Sequence, residues 1–366
     1  MSFAIKNNVK LIINVFNVKI IFSRLCSTKK KPIYTKRIFS GIQPTGSIHL
    51  GNYLGAIKEW VKLQGEAECP LWSIVDLHAI TLPHDHEELR KNIYQMAATL
   101  LACGIDPQKS IIFQQSTVSR HTELAWTLGC MLTMKKLALL PQFKEKSETL
   151  KNIPVGLYIY PVLQSADILL YKATDVPVGK DQLQHLHLAQ HLVHFFNGKY
   201  GDTFPVPNPL INESSGSVKS LKDPSKKMSK SDNEKKSLIR LIDEPEIIRK
   251  TIKKAVTDFT SEITYEPSSR PGVSNLVLIH SQMLDKSPEV ICKEAQGLNT
   301  VQYKSLVTDV IIEKLTPIRQ EYIRLMSAPD YVNSVLKNGS LRALPLADKC
   351  WLEVREKVGF SGGILR

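Results

Sequence analysis

Two segments of this sequence carry residue types suited to binding phosphate groups. Residues 226–232 read Lys-Lys-Met-Ser-Lys-Ser-Asp, so ammonium groups and hydroxyls crowd into one short stretch. Residues 41–52 read Gly-Ile-Gln-Pro-Thr-Gly-Ser-Ile-His-Leu-Gly-Asn and lie about 170 positions upstream. Lysines and hydroxyls can surround a polyphosphate, neutralising its charge and donating hydrogen bonds to its oxygens. A lysine run alone is usually a solvated surface, so the prediction of a nucleotide-phosphate site rests on both segments together.

The surrounding pattern predicts an α/β fold that places the upstream segment beside such a phosphate. Strands are predicted at 37–42, 70–75 and 111–113. One helix is predicted to begin at Leu50, and two further helices to cover 86–104 and 122–140. The turn before Leu50 leads into a helix whose first backbone N–H groups and positive dipole end favour an anion. Strands that alternate with helices imply a parallel sheet, with its site at the carboxyl ends of the strands.

The middle of the chain continues this alternation. Residues 142–152 are highly charged, which predicts a surface connection. Pro161 is predicted to separate residues 155–160 from an apolar helix at 162–171, which Asp167 interrupts. The pattern then predicts a strand and turn at 175–182, a helix at 183–196 and a loop at 197–209.

Composition changes after the lysine-serine segment, and only helices are predicted beyond Lys236. They cover 245–256, 272–284, 300–326 and 330–358. The chain has a formal net charge of +13 and a pI of about 9.3, which favours a polyanionic partner such as nucleic acid. The candidate RNA contacts are Arg240, Arg249, Lys250, Lys253, Lys254 and Arg270. For each of them an ordinary solvated face is the alternative.

The N-terminal region has the composition of an organelle transit peptide. No Asp or Glu precedes Glu59, while basic residues are interspersed with apolar ones. Arg24 marks a predicted cleavage point after Cys26, so residues 1–26 would be removed; an uncleaved basic arm is the alternative. The apolar run at 11–22 is interrupted by a lysine, which disfavours a secretory signal, and it is too short to span a membrane. The six cysteines are scattered, which predicts neither a zinc site nor a disulfide framework.

The two phosphate-type segments resemble the paired ATP-binding motifs of class I aminoacyl-tRNA synthetases. Residues 227–231 correspond to the family's KMSKS loop, and residues 49–52 to its HIGH motif at the helix start. Three further stretches look like those of tryptophanyl-tRNA synthetases, namely 76–81, 166–171 and 176–182. The leader and the mid-chain residues make the sequence most similar to the mitochondrial members. The resemblance covers almost everything from Arg37 onwards.

This resemblance implies a domain plan and a reaction. It implies a Rossmann-type catalytic domain over residues 27–235 and an all-α anticodon-binding domain over residues 236–366. The enzyme would be a homodimer of the mitochondrial matrix, with tRNA-Trp and L-tryptophan as partners and no membrane. Tryptophan and ATP would give tryptophanyl-adenylate, from which the amino acid passes to tRNA. Because the substrate carboxylate is the nucleophile, catalysis would depend on positioning and on stabilising phosphate charge.

The resemblance also assigns residues to ATP. Four donors to the phosphates are implied to be catalytic: His49, Asn52, Lys227 and Lys230. The wider set of implied ATP contacts is Gln43, His49, Leu50, Gly51, Asn52, Gly179, Lys180, Asp181, Val218, Lys227, Met228, Ser229, Lys230 and Ser231. Mg²⁺ would arrive with ATP, because the sequence shows no dedicated carboxylate cage.

Tryptophan recognition requires an apolar slot with one acceptor, because the indole nitrogen only donates. Asp167 suits this role as a carboxylate on an otherwise apolar helix; the alternative is a packing residue satisfied elsewhere. The other implied tryptophan contacts are Phe39, His78, Tyr160, Gln164, Val176, Val178 and Gln182. A site built on such a hydrogen bond rejects amino acids without the donor by roughly 10⁴ or more, so no editing domain is required.

Two positions depart from the family pattern, and two other functions stay open. Lys180 stands where the family usually has an acidic residue, and Gln164 stands where bacterial members often have Met. A tyrosyl-tRNA synthetase shares the fold and both ATP motifs, and an RNA-binding relative without catalysis would share the fold. The mid-chain stretches favour tryptophan. An enzyme is favoured because His49, Asn52, Lys227, Lys230 and Asp167 are all intact.

Overall fold

A parallel sheet organises the residues that the computed structural model describes, namely 33–140, 152–211, 218–228 and 237–360. The chain divides into residues 1–34 and 35–366, and all elements named below belong to the second unit. The described strands are β1 (Phe39–Ile42), β2 (Leu71–Ile74), β3 (Ile111–Gln114), β4 (Asp175–Pro177) and β5 (Asn208–Leu210). The pairings β1–β2, β2–β3 and β4–β5 are all parallel. The predicted parallel α/β sheet is therefore confirmed.

The order of the strands creates a crevice between β1 and β4. A parallel bridge between Ile38 and Asp175 joins β4 to the free side of β1, which gives the spatial order β3-β2-β1-β4-β5. The chain thus reverses its direction of winding at β1. In open α/β sheets ligands bind at this switch point, outside the carboxyl ends of the strands.

The central strand β2 is buried on both faces. Leu71, Trp72 and Ile74 of β2 are completely buried, as expected for a parallel sheet covered by helices on both sides. Gly41 of β1 is required by close packing, since an added Cβ would lie 2.8 Å from Cγ1 of Val75.

Helices cover the sheet and continue beyond it. Before β4 they are α1 (Leu50–Asn52), a π-helical turn (Tyr53–Ile57), α2 (Lys58–Leu63), α3 (Asp76–Ala79), α4 (His86–Ala102), α5 (Arg120–Gly129), α6 (Met134–Ala138) and α7 (Val155–Leu170). After β4 they are α8 (Leu183–Tyr200), α9 (Pro245–Lys253), α10 (Pro271–Leu284), α11 (Pro288–Glu294), α12 (Thr300–Met326) and α13 (Pro329–Val358). The helical C-terminal region is as predicted, except that α11 was not expected. Strand β5, which lies before that region, was not expected either.

Two predicted breaks differ from the structure, one for a local reason and one because of packing; in addition, α8 runs to Tyr200, past its predicted end at 196. The single helix expected at 122–140 is broken into α5 and α6, because the Thr133 side chain caps a new helix by accepting from the Lys136 amide. The break expected at Pro161 does not occur. Pro161 lies inside the continuous helix α7, whose packing against α5 and α8 compensates for one missing backbone hydrogen bond.

The last helix returns to the edge of the sheet. Helix α13 packs across β3, and at Gly339 the two backbones nearly touch, since an added Cβ would lie 1.7 Å from the carbonyl oxygen of Ile112. Residues late in the chain therefore support the edge strand of the sheet. The assignment of residues 236–366 to an anticodon-binding domain stays a prediction.

The predicted transit peptide, residues 1–26, lies outside the described residues. Within the described ranges, no helix combines the length and apolarity needed to cross a lipid bilayer.

Candidate active site

A cavity of about 410 Å³ opens at the carboxyl ends of β1 and β4. Every residue that the sequence assigned to tryptophan lines it: Phe39, His78, Tyr160, Gln164, Asp167, Val176, Val178 and Gln182. Three of the residues assigned to ATP also line it: Gln43, Asn52 and Gly179. The edge of the crevice is fixed where the Ser40 hydroxyl donates to the Pro177 carbonyl oxygen at 2.8 Å. One cavity therefore joins the two sets of predicted residues.

Asp167 of α7 lies at the buried end of this cavity among three donors. His121 Nδ1 lies 2.6 Å and Gln115 Nε2 2.7 Å from its Oδ1, while His78 Nε2 lies 2.7 Å from its Oδ2. Its side chain is only 2% exposed. The resemblance implied that His78 contacts tryptophan; in the structure His78 lines the cavity and its Nε2 faces the Asp167 carboxylate.

The contacts around Asp167 keep its carboxyl group ionised. Burial by itself raises the pKa of Asp167, but hydrogen bonds from His121 and His78 outweigh burial and hold that pKa well below its usual value. An ionised carboxylate accepts only, so His121 must carry a proton on Nδ1 and His78 on Nε2. At neutral pH the cavity therefore contains a buried, negatively charged acceptor.

A second group of polar side chains borders the cavity. Gln164 Nε2 donates to Gln182 Oε1 at 3.3 Å, and Gln182 Oε1 also lies 3.1 Å from Nδ1 of His185. The Tyr160 hydroxyl lies 3.3 Å from Nε2 of His185. Gln164, which departs from the bacterial pattern, thus contacts another predicted substrate residue directly.

The HIGH motif, residues 49–52, forms a reciprocal cap at the start of α1. His49 Nδ1 accepts from the Asn52 amide at 3.3 Å, and Asn52 Oδ1 accepts from the His49 amide at 3.4 Å. A neutral His49 therefore carries its proton on Nε2, which leaves Nε2 as a donor. Leu50 is fully buried, and the atoms nearest to an added Cβ at Gly51 belong to His49, at 3.1 Å.

The HIGH motif is tied by backbone hydrogen bonds to the segment that follows the KMSKS loop, residues 227–231. The Leu50 amide donates to the Ile239 carbonyl at 2.8 Å, and the Leu241 amide donates to that of Ile48 at 3.1 Å. Within the loop, Met228 is buried and its amide donates to the Val218 carbonyl at 2.9 Å. A Cβ added at Gly51 would lie 3.6 Å from Cβ of Met228, so the described part of the KMSKS loop meets the HIGH motif in space.

The remaining predicted ATP residues lie at the surface or outside the described part of the chain. Lys180 and Asp181 are exposed on the turn after β4, and Lys227 is exposed at the start of the KMSKS loop. Ser229, Lys230 and Ser231 fall outside the described residues, so their roles stay predictions.

Helix α1 continues into a π-helical turn at Tyr53–Ile57. Such turns are rare and are found mostly at functional sites. This one brings Gly55 and Ala56 to the cavity lining, and α2, which follows it, adds Glu59; the sequence analysis assigned none of the three to the site.

Among the predicted RNA contacts, Arg270 is excluded by its own hydrogen bonds. Its five N–H groups bond the two carboxylate oxygens of Asp258, the carbonyls of Thr260 and Glu262, and the Thr264 hydroxyl. Because a guanidinium has five donors, none is left for phosphate. Lys250 and Lys253 on α9 are exposed and remain candidates.

Sequence analysis also missed Gln115 and His121. Gln115 directly follows β3, and a polar residue at the carboxyl end of a parallel strand is a recognisable signal. His121 gives no such local signal, because its partner lies 46 residues away in the chain.

Comparison with known proteins connects this geometry to one family. The family model of class I tRNA synthetases for tryptophan and tyrosine matches residues 33–316. The tryptophan–tRNA ligase of Caldanaerobacter subterraneus subsp. tengcongensis is 43% identical over 324 residues, covering 88% of this chain and 98% of that enzyme. The tryptophanyl-tRNA synthetase of Mycoplasma pneumoniae superposes with a TM-score of 0.82 at 30% identity, covering 89% of this chain and 98% of that one.

A second solved structure adds ligands to the comparison. The tryptophanyl-tRNA synthetase of Campylobacter jejuni, complexed with ADP and tryptophan, superposes with a TM-score of 0.76 at 32% identity. The superposition covers 88% of this chain and 99% of the Campylobacter jejuni chain. All three relatives are bacterial proteins. The family model covers both tryptophan and tyrosine enzymes. The names of these relatives and their sequence identity to this chain assign it to the tryptophan enzymes. The chain belongs to the tryptophanyl-tRNA synthetases, within the class I tRNA synthetase family.

Proposed function

We propose that this tryptophan–tRNA ligase works in two steps, forming tryptophanyl-adenylate from tryptophan and ATP and then transferring the amino acid to tRNA-Trp. The observation that carries the proposal is the ionised Asp167 in a cavity that is also lined by Asn52 of the HIGH motif and by Gln43. An indole N–H would pair with the carboxylate, and the nucleotide would lie towards the start of α1. The tryptophan and ADP held by the Campylobacter jejuni protein support both ligands.

In the first step the tryptophan carboxylate attacks the α-phosphorus of ATP. A carboxylate O–P bond forms while the bond to the bridging oxygen breaks, and pyrophosphate leaves with that electron pair. No side chain needs to accept a proton or form a covalent bond. The enzyme's contribution is to hold the two substrates in line and to stabilise charge on the phosphates.

Donors around the start of α1 are arranged for this task. Asn52 lines the cavity, and a neutral His49 carries its proton on Nε2, because its Nδ1 accepts from the Asn52 amide. Lys227, together with Lys230, would follow the charge onto pyrophosphate. Mg²⁺ would enter with ATP; within the described ranges no group of three or more His, Cys, Asp or Glu side chains could hold a metal ion.

The two-step pathway is tested by isolating the intermediate. Enzyme incubated with tryptophan and ATP, but without tRNA, should accumulate tryptophanyl-adenylate to about one molecule per active site. Addition of tRNA-Trp should then consume the adenylate and yield charged tRNA at the same rate. Charging of tRNA without any adenylate that forms and decays at a competent rate would refute the proposal.

We further propose that the enzyme serves mitochondrial translation. The support is the leader, residues 1–26, which contains no acidic residue; the first one in the chain is Glu59. The leader also lies before residue 33, where the family match begins. We expect protein recovered from the organelle to begin near Ser27. N-terminal sequencing is the measurement, and Arg24→Ala should block the cleavage, whereas Lys19→Ala should leave it in place. Protein that still begins at Met1 inside the organelle contradicts the processing prediction.

A homodimer is also proposed, and an exposed apolar surface supports it. Trp126, Met134, Leu139 and Val155 are each at least 66% exposed, and they lie on or beside α5, α6 and α7, which pack together. A second copy of the chain would remove this apolar area from water.

We expect Trp126→Glu combined with Val155→Glu to convert a dimer into a monomer. Burying two carboxylates in an apolar interface is costly, so association should weaken by at least about 100-fold. Sedimentation equilibrium measures the mass, which should fall from twice the mass of the chain to the mass of one chain. Leu352→Glu, at a residue 61% exposed on α13, is the matched control and should remain dimeric. A monomeric wild type, or a dimeric double variant, contradicts the proposal.

A further inference from the structure

Two of the three side chains that hold Asp167 lie outside the cavity lining. His121 and Gln115 both donate to Oδ1, while His78, which does line the cavity, donates to Oδ2. A carboxylate offers about four lone-pair positions, two on each oxygen. Oδ1 is therefore fully occupied from outside the cavity, and Oδ2 keeps one position beside His78.

The ring of His121 is fixed from both ends. Its Nε2 lies 2.9 Å from the Tyr171 hydroxyl, and both side chains are completely buried. The ring packs against Phe113 and Tyr171, with centroids 5.9 and 5.4 Å away. Turning the imidazole would break the contact with Asp167 and the contact with Tyr171 together, so Nδ1 remains directed at the carboxylate.

Gln115 is fixed in a similar way. Its Oε1 accepts from the Leu77 amide at 3.1 Å, which sets the orientation of the amide and directs Nε2 at Asp167. Leu77 and His78 are neighbours on α3. The short helix α3 therefore fixes donors to both oxygens of the carboxylate, one directly and one through Gln115.

We propose that His121 is a positioning residue for amino-acid selection: with Gln115 it saturates Oδ1 of Asp167 and leaves one charged acceptor position, on Oδ2, facing the cavity. The proposal rests on the proposed function, in which that position receives the indole N–H. Tryptophan brings one donor to a site with one vacant acceptor. An amino acid without a donor leaves the charged acceptor buried and unsatisfied, which a rigid carboxylate cannot relieve by turning away.

A purely structural role for His121 predicts a different outcome. If His121 only fills the core, its replacement lowers stability but leaves the preference between substrates unchanged. If it positions Asp167, its replacement changes selection at the indole nitrogen and leaves ATP binding as it was. Selectivity between two ligands of the same shape therefore separates the two roles.

The test uses tryptophan and 3-(benzothiophen-3-yl)alanine, in which sulfur replaces the indole N–H while the ring shape is kept. Pyrophosphate exchange gives kcat/KM for both amino acids with wild-type enzyme and His121→Leu. We expect the ratio of the two values to fall at least about tenfold, the scale of one hydrogen bond to a charged group. The loss should appear mainly as a higher KM for tryptophan, with the KM for ATP unchanged. His121→Asn, whose amide can still donate towards Oδ1, should recover part of the ratio.

An unchanged ratio in folded His121→Leu overturns the proposal. If His121→Leu fails to fold, the same ratio is measured for His121→Asn and Tyr171→Phe. Tyr171→Phe keeps the aromatic ring of residue 171 and removes the hydroxyl that fixes Nε2 of His121. A lower ratio in both variants supports the proposal, and an unchanged ratio in both overturns it. Wild-type enzyme that shows no exchange with tryptophan refutes the proposed function instead, which is a separate result.

Discussion

Asp167→Asn is expected to lower kcat/KM for tryptophan by roughly 10³ to 10⁴, the scale on which a site built for one hydrogen bond rejects a ligand that cannot make it. Two donors, from Gln115 and His121, converge on Oδ1, so the single amide oxygen is expected to take that position. The NH₂ group then replaces Oδ2. It would meet the indole N–H as a donor facing a donor.

The hydrogen bonds to Oδ1 change which substitution of Asp167, asparagine or alanine, should impair tryptophan use more. From the sequence, asparagine should be milder than alanine, because its oxygen could still accept the indole hydrogen. With the oxygen held at Oδ1, asparagine should impair tryptophan use at least as severely as alanine. Alanine should instead have the larger effect on folding, since it leaves three buried donors unpaired at about 1–3 kcal/mol each.

The measurement is pyrophosphate exchange with tryptophan and with phenylalanine, accompanied by thermal unfolding of each variant. Phenylalanine has no donor, so its weak activation should change far less than that of tryptophan. Both variants should keep the wild-type KM for ATP. If Asp167→Asn retains the full preference for tryptophan, the indole nitrogen is read by another group.

Lys230→Ala is expected to slow adenylate formation on the order of 10²-fold while changing tryptophan affinity little. The side chain would follow charge onto the leaving pyrophosphate, an interaction stronger in the transition state than in the ground state. Loss of one such donor typically costs a factor of that size. Single-turnover formation of adenylate measures the rate, and equilibrium dialysis measures tryptophan binding.

Lys226→Ala provides a matched control just before the KMSKS loop. The Lys226 ammonium is 3.1 Å from the Asp223 carboxylate and the side chain is 74% exposed, so its removal should leave the rate within a factor of about two. An equal effect of the two substitutions would show that general positive charge, rather than a positioned lysine, serves the phosphates. An unchanged single-turnover rate in Lys230→Ala would remove the lysine from the mechanism altogether.

Much of the fold follows from local patterns in the sequence. Helix α12 begins at Thr300 and ends at Met326 as predicted, because apolar residues at helical spacing mark its buried side. Strand β5 has only three residues and lies in a Pro- and Gly-rich stretch, so no periodicity reveals it. The helix through Pro161 depends on packing against α5 and α8, which local propensity does not encode.

The site shows the same division between local and long-range information. The residues that resemblance assigned to tryptophan all line the cavity, because motif identity carries spatial information that composition does not. His121 was missed since its role depends on Asp167 and Tyr171, which adjoin it only in the folded chain. Arg270 was misassigned because a basic residue in sequence gives no indication that its five donors are already used.

Pyrophosphate exchange by the purified wild-type enzyme, with tryptophan and tyrosine compared at equal concentrations, tests the central claim most directly. Among the described residues that line the cavity, Asp167 is the one buried carboxylate, so the cavity should support exchange with tryptophan and favour it over tyrosine by roughly 10³ or more in kcat/KM. Exchange that depends on tyrosine, or no exchange with either amino acid in the presence of ATP and Mg²⁺, would contradict this account of the cavity.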